Sequence, residues 1–377
     1  MTAPRVLILS AAIGEGHDLP ARVLADELRE EAPGAEVEIA DGLEAMGGLL
    51  SQIIVRGSPF HSKWGNRFFD FEFWFISVFR PGHWIAAGFV YAVGARGLMR
   101  LIEAEEPDVV VSTYPGVTDV LGRLRRRGRL RVPAVAAITD LAALRYWSHP
   151  GIDLHLITHP ESAEEVRRIA GDTDVVAVRG LNSPDFLQPL DRDEARRRLD
   201  LLPDPKLVVV SGGGWAVGDL EGAVDASLEA GAGLVVALCG RHEGVKERLE
   251  TRFAGDKRVR VWGFTEHMGE LLAAADALVH STAGLTVLEA HVRGCPTVSY
   301  GWGRAHIRAN NRAFTRFGLA EVAPDRRALR EVLGRALAKR REPDLSFAEL
   351  PSAASMVLDR FGARGRLGAG HEVADRG

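Results

Sequence analysis

Residues 5–28, RVLILSAAIGEGHDLPARVLADEL, place an apolar run, a glycine-containing loop and an amphipathic segment in direct succession. A short run of branched apolar residues is typical of a buried strand, and apolar positions three or four apart indicate a helix. The same order recurs at 206–230, where KLVVVS runs into SGGGWAVGD and a second amphipathic segment. Strand, glycine loop and helix, repeated in this way, predict an α/β protein with two Rossmann-like halves built on parallel sheets.

The composition is that of a soluble globular protein. The chain has 377 residues, of which 46% are hydrophobic and 26% are charged, and its formal net charge is -4. These values exclude a disordered, collagen-like or coiled-coil chain, and the negative charge argues against nucleic-acid binding as the main function. Two cysteines are too few for a disulfide framework or a cysteine-based zinc site, which favours a reducing cytosol.

Hydrophobic stretches are too short to predict a membrane span. The longest charge-free stretch, residues 81–95, has 15 residues, whereas a spanning helix needs about 20 apolar residues. The N-terminal apolar run resembles a signal peptide only in part, because Glu15 and His17 interrupt it and a small-residue cleavage site is missing. We therefore interpret that run as a buried strand.

Apolar runs and amphipathic segments alternate along the whole chain. The runs predict strands at 5–10, 36–40, 108–112, 133–138, 153–158, 174–178, 206–211, 234–239, 258–262, 277–280 and 296–300. Helices are predicted at 18–31, 191–200, 219–230, 242–253, 266–274 and 284–293. A segment rich in Pro, Asn and Asp predicts a boundary between two domains, 1–185 and 186–345. After them we expect a helix at 346–361 that packs back on the first domain, and then a disordered tail at 362–377.

Both glycine loops are candidate anion sites. In parallel sheets, ligands lie at the carboxyl ends of the strands, where exposed N–H groups and helix dipoles favour negative charge. Glycines at 212–214 let a phosphate approach the backbone, although a plain tight turn explains them equally well. A G-x-G-x-x-G fingerprint is absent, and no Lys-Ser/Thr follows Gly16, so a standard NAD site and a Walker loop are disfavoured.

Several polar residues stand after predicted strands or at predicted helix starts, where such a fold binds its ligands. His17 follows a glycine turn at a helix start, and it either bonds its own loop or serves as a general base or a substrate contact. Residues 280–284 form a strand-to-helix turn suited to a diphosphate. Glu289 in the next helix either accepts ribose hydroxyls or is solvated. Residues 302–320 either bind sugar hydroxyls or form an ordinary surface loop.

The linked motifs resemble a known family. Residues 239–320, with C-G-R, G-F-T, S-T-A-G-x-T-x-x-E-A and an Asn-bearing helix in order, resemble the donor domain of family-28 glycosyltransferases. The first half resembles monogalactosyldiacylglycerol synthases and processive diacylglycerol glucosyltransferases, through S-A-A-I-G-E-G-H at 10–17, T-Y-P at 113–115 and I-T-D…W-S-H-P…D at 138–153. The resemblance implies the glycosyltransferase B fold: two Rossmann-like domains facing a cleft, with the acceptor on 1–185 and a nucleotide sugar on 186–345.

The resemblance also implies residue roles. The backbone around Phe264 reads a uracil ring, with Arg241 nearby, and Glu289 binds ribose. A diphosphate is held by Gly213, Gly214, Ser281, Thr282 and Gly284. The transferred sugar faces Asn310, Asn311, Arg304 and His306, while Gly16 and His149 lie on the acceptor side. The chain departs from the lipid synthases at 304–306 and at Glu15, which leaves the sugar and the acceptor open.

Two further segments bear on whether the protein contacts a membrane. Twelve of the 26 aromatic residues lie between Phe60 and Tyr91, and form either a packed core or an apolar rim that accepts lipid. Six arginines between Arg123 and Arg131 form either a solvated turn or a surface that attracts anionic lipid head groups. Together they favour a cytoplasmic enzyme bound peripherally to the inner face of the plasma membrane.

The predicted function is inverting transfer of a hexose from a UDP-sugar to a hydroxyl of a lipid such as diacylglycerol or of a small molecule. His17 is the predicted base and Asp140 the second candidate. No cofactor or metal is expected, since no D-x-D pair stands where a metal-bound diphosphate would need it. The D-x-D spacing at 191–193 lies in the linker, and helix dipoles take the place of a metal. The alternatives are a UDP-N-acetylglucosamine 2-epimerase-like isomerase and a catalytically silent nucleotide-sugar or lipid-binding protein.

Overall fold

The computed structural model describes residues 3–11, 15–52, 75–76, 79–282, 284–301, 306–338 and 341–360. The chain forms two compact units. Unit 1 takes the residues up to Asn182 together with the chain from Glu349 onward, and unit 2 is Ser183–Ala348. The domain boundary expected at residue 185 falls three residues beyond this division, and the tail expected at 362–377 lies outside the described residues.

Unit 1 is built on a six-stranded parallel sheet. Its strands are β1 Arg5–Ser10, β2 Glu36–Asp41, β3 Val109–Ser112, β4 Ala134–Ile138, β5 Leu154–Ile157 and β6 Asp174–Ala177. They lie in the order β2-β1-β3-β4-β5-β6, so the direction in which strands are added reverses between β1 and β3. Loops that follow strands on either side of such a reversal diverge and leave a crevice at the carboxyl edge of the sheet.

Helices cover both faces of this sheet. They are α1 Glu15–Glu31, α2 Gly42–Ala45, α3 Arg80–Glu105, α4 Pro115–Arg126 and α5 Ala163–Ala170. Successive residues of β1 point to opposite faces, so Leu7 joins a core that includes Leu98 of α3, and Ile8 joins a second core. A closing helix at 353–360 adds Ala353 and Val357 to that second core, which is where the sequence placed a helix packing back on the first domain.

Unit 2 repeats the architecture with a different strand order. Its strands are β7 Leu207–Ser211, β8 Leu234–Leu238, β9 Val259–Trp262, β10 Ala277–His280, β11 Thr297–Tyr300 and β12 Ala320–Ala323. Its helices are α6 Arg192–Arg198, α7 Leu220–Glu229, α8 Glu243–Phe253, α9 Met268–Ala274, α10 Leu285–Val292, α11 His306–Arg316 and α12 Arg326–Ala336. The order β12-β11-β10-β7-β8-β9 is that of a dinucleotide-binding sheet, with its reversal between β7 and β10.

Several elements differ from the sequence-based expectation: helices α2, α3, α4, α5 and α12 and strand β12 lie outside the predicted ranges. Strand β12 was not predicted, because Ala-Glu-Val-Ala holds one branched apolar residue and the strand pairs only with β11 at the sheet edge. Helix α3 is long and apolar enough to cross a membrane by length and composition. The sequence did not predict a span there, because the charge-free stretch within this helix, residues 81–95, has only 15 residues. Eight of its residues are buried, and Leu98 and Ile102 pack in the core of unit 1.

A buried ion pair ties the entry of unit 2 to its sheet. Arg196 of α6 is 2% exposed and donates through one terminal nitrogen to Asp276 Oδ2 at 2.9 Å. Its other nitrogens donate to the carbonyls of Leu202, Pro203, Pro205 and Ala274. Asp276 Oδ2 also accepts from the backbone N–H of Leu207, at the start of β7. One guanidinium therefore satisfies the carbonyls of the linker and positions the first strand.

Replacing Arg196 with Met is expected to lower the free energy of unfolding of unit 2 by about 3–5 kcal/mol. The reason is that Asp276 loses its fully buried partner and keeps only longer contacts to the more exposed Arg192 and Lys206, while the linker carbonyls lose their donor. Urea denaturation followed by circular dichroism measures the change. Arg198→Ala is the control, since its exposed pairing with Glu194 is worth at most about 1 kcal/mol. Equal costs for the two variants would contradict this assignment.

Candidate active site

The reversal point of unit 1 holds the predicted base. His17 lies in the first turns of α1, and its Nδ1 is 2.9 Å from the carbonyl oxygen of Thr113, which follows β3. Since a carbonyl only accepts, Nδ1 carries the proton and Nε2 carries the basic lone pair. The ring lies edge-on to Tyr114 with centroids 5.2 Å apart, and its centroid is 5.8 Å from that of Trp147. The imidazole is therefore fixed in one tautomer and orientation.

Asp140 acts on the surroundings of His17. Its Oδ2 accepts a 2.8 Å hydrogen bond from Nε1 of Trp147, a fully buried side chain. The carboxylate thus holds the indole against which His17 packs. The residue after His17 is also held in place. Ser10 Oγ donates to Asp18 Oδ1 at 2.5 Å, which ties the first turn of α1 to the end of β1. The geometry makes Asp140 a positioning residue, and its role as a base stays a prediction.

The two predicted acceptor-side residues of unit 1 differ in their surroundings. Gly16 is exposed beside His17, with open space where a Cβ would lie. His149 is 8% exposed, and its Nδ1 accepts from the N–H of Gly151 while its ring packs against Gly122. Burial lowers the pKa of His149 to about 3, so this imidazole is neutral near pH 7. These contacts give His149 a packing role, and its contact with an acceptor stays a prediction.

Three loops converge at the reversal point of unit 2. A Cβ on Gly213 would lie 3.0 Å from Cγ2 of Thr282, and one on Gly218 would lie 2.6 Å from Ser281. Gly240 packs in the same way against the backbone of Gly214. We call these loops, 211–218, 239–241 and 281–284 without the undescribed residue 283, the glycine cradle. Side chains at the glycine positions would separate the loops, which explains why glycine is needed there.

The rim of the cradle carries positive charge and backbone donors. Arg241 donates its backbone N–H to Gly214 O at 2.9 Å, and its guanidinium lies 4.0 Å from the ring centroid of Phe264. Helix α10 begins directly after Gly284, and among the described residues no side chain caps it. A helix N-terminus without a side-chain cap and a nearby guanidinium both favour an anion. Ser281 Oγ donates to Tyr300 O, so this hydroxyl also serves the loop itself.

Glu289 is a buried carboxyl one turn into α10. The residue is 5% exposed, and burial raises the pKa of its side chain to about 7. A carboxyl with this pKa exchanges its proton near neutral pH, and donors from a bound ligand would shift it to the ionised form. The raised pKa comes from a feature that the sequence does not show, namely how deeply the helix packs.

The predicted sugar-side residues lie on or near α11. Asn310 and Asn311 are 0% and 3% exposed. Asn310 Nδ2 donates to the carbonyl of His306, and Asn311 Oδ1 accepts from Ser299 Oγ at 2.6 Å. Asn311 therefore ties α11 to the end of β11, whereas the Asn310 bond lies within α11 itself. His306 is exposed at the first residue of the helix, and Arg304 lies outside the described residues.

Comparison with known proteins finds a family model and curated relatives. Residues 17–182 match the family model described as monogalactosyldiacylglycerol (MGDG) synthase. The predicted family resemblance is confirmed. A processive diacylglycerol beta-glucosyltransferase of Bacillus licheniformis is 24% identical over 302 residues, covering 79% of this chain and 78% of the relative. The enzyme of the same name from Staphylococcus aureus is 20% identical over 334 residues, covering 85% and 81%.

Solved structures establish the fold. MurG of Acinetobacter baumannii superposes with a TM-score of 0.56 at 16% identity, covering 94% of this chain and 99% of that one. Os79 from O. sativa, solved in complex with UDP, gives a TM-score of 0.58 at 13% identity, covering 95% and 99%. The predicted glycosyltransferase B fold is thereby confirmed.

Sequence reasoning did not assign roles to three residues that build the two sites. Thr113 orients His17 through a backbone carbonyl, which any residue could supply, so its identity carries no signal. Trp147 stands in the quoted W-S-H-P motif, and that motif is the signal for its packing against His17. Ser299 bonds Asn311 across 12 positions of sequence, which no spacing rule predicts.

Proposed function

We propose that this protein is an inverting glycosyltransferase that moves a hexose from a UDP-sugar to the hydroxyl of a lipid acceptor such as diacylglycerol, without a cofactor or metal. The observation that carries the proposal is the glycine cradle at the reversal point of unit 2. Main-chain N–H groups, the start of α10 and Arg241 meet there, and this set suits a diphosphate. The confirmed resemblance to diacylglycerol glucosyltransferases supports the reaction class.

On the donor side, the cradle holds the diphosphate, the backbone near Phe264 reads the uracil, and ionised Glu289 accepts the ribose hydroxyls. Asn310 or Asn311, together with His306, binds the hexose in this proposal, and the role of Arg304 stays a prediction from the sequence. Negative charge grows on the UDP as it leaves, and fixed N–H donors stabilise that charge without reorganising. This electrostatic stabilisation takes the place of a metal in the proposal.

On the acceptor side, His17 removes the proton from the attacking hydroxyl. The carbonyl of Thr113 holds the Nδ1 proton, so Nε2 receives the proton from the acceptor as its oxygen attacks the anomeric carbon. The bond to UDP breaks in the same step, which inverts the configuration at that carbon. The beta linkage in the names of the relatives fits inversion of an α-linked UDP-hexose. None of the relatives reported above is named as an isomerase.

The described surface of unit 1 supports binding at an anionic membrane. On α3, Trp84, Ile85 and Phe89 are 75%, 68% and 49% exposed, and Arg96 and Arg100 continue the exposed face. An apolar patch beside basic side chains suits the interface of an anionic bilayer. We propose that this face docks on the cytoplasmic side of the plasma membrane.

The arginine run divides between two roles. Arg123 pairs with buried Asp119 at 2.7 Å and Arg125 with Asp153 at 2.5 Å, so these two stabilise unit 1. Arg126, Arg127, Arg129 and Arg131 are exposed, and Arg127 lies 4.1 Å from the ring centroid of Tyr91 on α3. The exposed four extend the basic part of the proposed docking face. Seven of the twelve aromatic residues from Phe60 to Tyr91 lie outside the described residues.

Replacing His17 with Ala is expected to reduce transfer at least about 100-fold, because general base catalysis contributes about 10²–10⁴-fold. UDP affinity is expected to stay within about twofold, since His17 lies in unit 1. Product formation from labelled UDP-glucose and UDP-galactose with diacylglycerol, resolved by mass spectrometry, measures transfer. His267→Ala, which removes an exposed histidine of unit 2, is the control. Unchanged transfer in His17→Ala would remove the residue from the mechanism.

UDP binding is expected to weaken about tenfold between pH 8 and pH 6. The free Glu289 carboxyl has a pKa of about 7, and the ionised form is the one that accepts two ribose hydroxyls. Binding therefore releases a proton at low pH, and affinity falls as pH drops below 7. Calorimetry in buffers of different ionisation enthalpy measures both effects. Glu289→Gln should show a flatter profile, and an identical profile in that variant would contradict the assignment.

Substituting Trp84 and Phe89 together with Ala is expected to reduce binding to vesicles containing phosphatidylglycerol at least about tenfold, because each buried aromatic contributes about 1.5–3 kcal/mol. Vesicle sedimentation measures the bound fraction. Leu49→Ala, which removes a 57% exposed apolar side chain elsewhere in unit 1, is the control. Equal binding by both variants would exclude this face as the docking site.

A further inference from the structure

An exposed tryptophan stands at the tip of the first loop of the cradle. Trp215 is 63% exposed and directly follows Gly214 in a short helical turn, Gly213–Trp215. Large apolar side chains in the open are informative when they gather at one place. Four such side chains are exposed among the described residues of unit 2, and three of them lie at the cradle or beside it: Trp215, Val217 and Phe264.

The loop that carries Trp215 is tightly held. The N–H of Val217 donates to Gly212 O at 2.7 Å, and that of Ala216 donates to Gly213 O at 3.2 Å. Ala216 has a φ of 51°, a left-handed conformation that is unusual for a residue with a side chain. Strain of this kind persists where the surrounding structure specifies it, and it clusters at ligand sites. The loop therefore presents the indole from a defined backbone position.

The two aromatic rings at this edge are not equivalent. One face of Phe264 is covered by the guanidinium of Arg241, at 4.0 Å from the ring centroid. Trp215 is the larger and more exposed ring, and it stands next to the glycines that approach Thr282 and Gly240. In the proposed function the hexose is bonded directly to the diphosphate that these glycines hold, so it lies within reach of an indole one residue away.

We propose that Trp215 is a specificity-determining residue that stacks its indole on the apolar C–H face of the donor hexose. One face of a pyranose ring presents carbon-bound hydrogens, and an aromatic π face attracts them while excluding water. This inference rests on the proposed function, and it adds a residue that discriminates the nucleotide sugar from the nucleotide alone. Held in this way, the hexose is fixed before the acceptor attacks.

Calorimetric titration of the full chain with UDP, UDP-glucose and UDP-galactose tests the inference. Trp215→Ala is expected to lose at least about tenfold in affinity for at least one UDP-hexose and less than about twofold for UDP. Trp215→Phe keeps an aromatic face and should restore affinity to within about threefold of the wild type. Leu202→Ala, which removes a 71% exposed apolar side chain from the same unit, should change none of the three affinities.

Fluorescence gives an independent readout. The chain has seven tryptophans, and the emission change caused by a UDP-hexose but not by UDP should disappear in Trp215→Phe. Thermal melting of each variant checks that the fold is retained, as expected for an exposed position.

Each remaining outcome overturns a defined statement. Equal losses for UDP and both UDP-hexoses in Trp215→Ala would assign the indole to the nucleoside and overturn the inference. Unchanged affinities in that variant would also overturn it. Failure of the wild-type protein to bind UDP or either UDP-hexose would instead overturn the proposed function, and the inference with it.

Discussion

At the reversal point of each sheet, two neighbouring strands send their following loops apart, and backbone groups at the carboxyl edge are left without strand partners. In unit 1 this point lies between β1 and β3, and a carbonyl from the loop after β3 orients His17. In unit 2 it lies between β7 and β10, and the glycine cradle forms there. The chemistry of both units therefore depends on the order of their strands.

The loops of the cradle lie so close together that the sequence must supply glycine where their backbones meet. At Gly213, Gly218 and Gly240 a Cβ would meet a neighbouring loop, and all three have a positive φ. Glycine is thus required twice over at each position, by conformation and by space. Loops this close bring N–H groups and a helix start together, which is what a diphosphate needs. The alanine at 216 takes a left-handed conformation in the same loop and shows how strongly that loop is held.

Buried charges hold the parts of each unit in place. Arg196 and Asp276 tie the linker to β7 and β10 in unit 2, while Arg123 and Asp119 join two turns of α4 in unit 1. Removing one partner of such a pair is costly, because the buried charge that remains loses its shortest ionic contact. The same burial raises the pKa of Glu289 and thereby links ligand binding to pH.

Within the part of the chain that the structure describes, the sequence by itself determined the two-sheet fold and eleven of the twelve strands, because periodicity and glycine placement are local properties of the chain. It left out β12, an edge strand with little apolar signal. Only the tertiary structure decided that a carbonyl of Thr113 sets the tautomer of His17, that Asp140 holds Trp147, and that Ser299 binds Asn311. These contacts join residues whose separation in sequence follows no repeat, so they exist only once packing brings the strands and helices together.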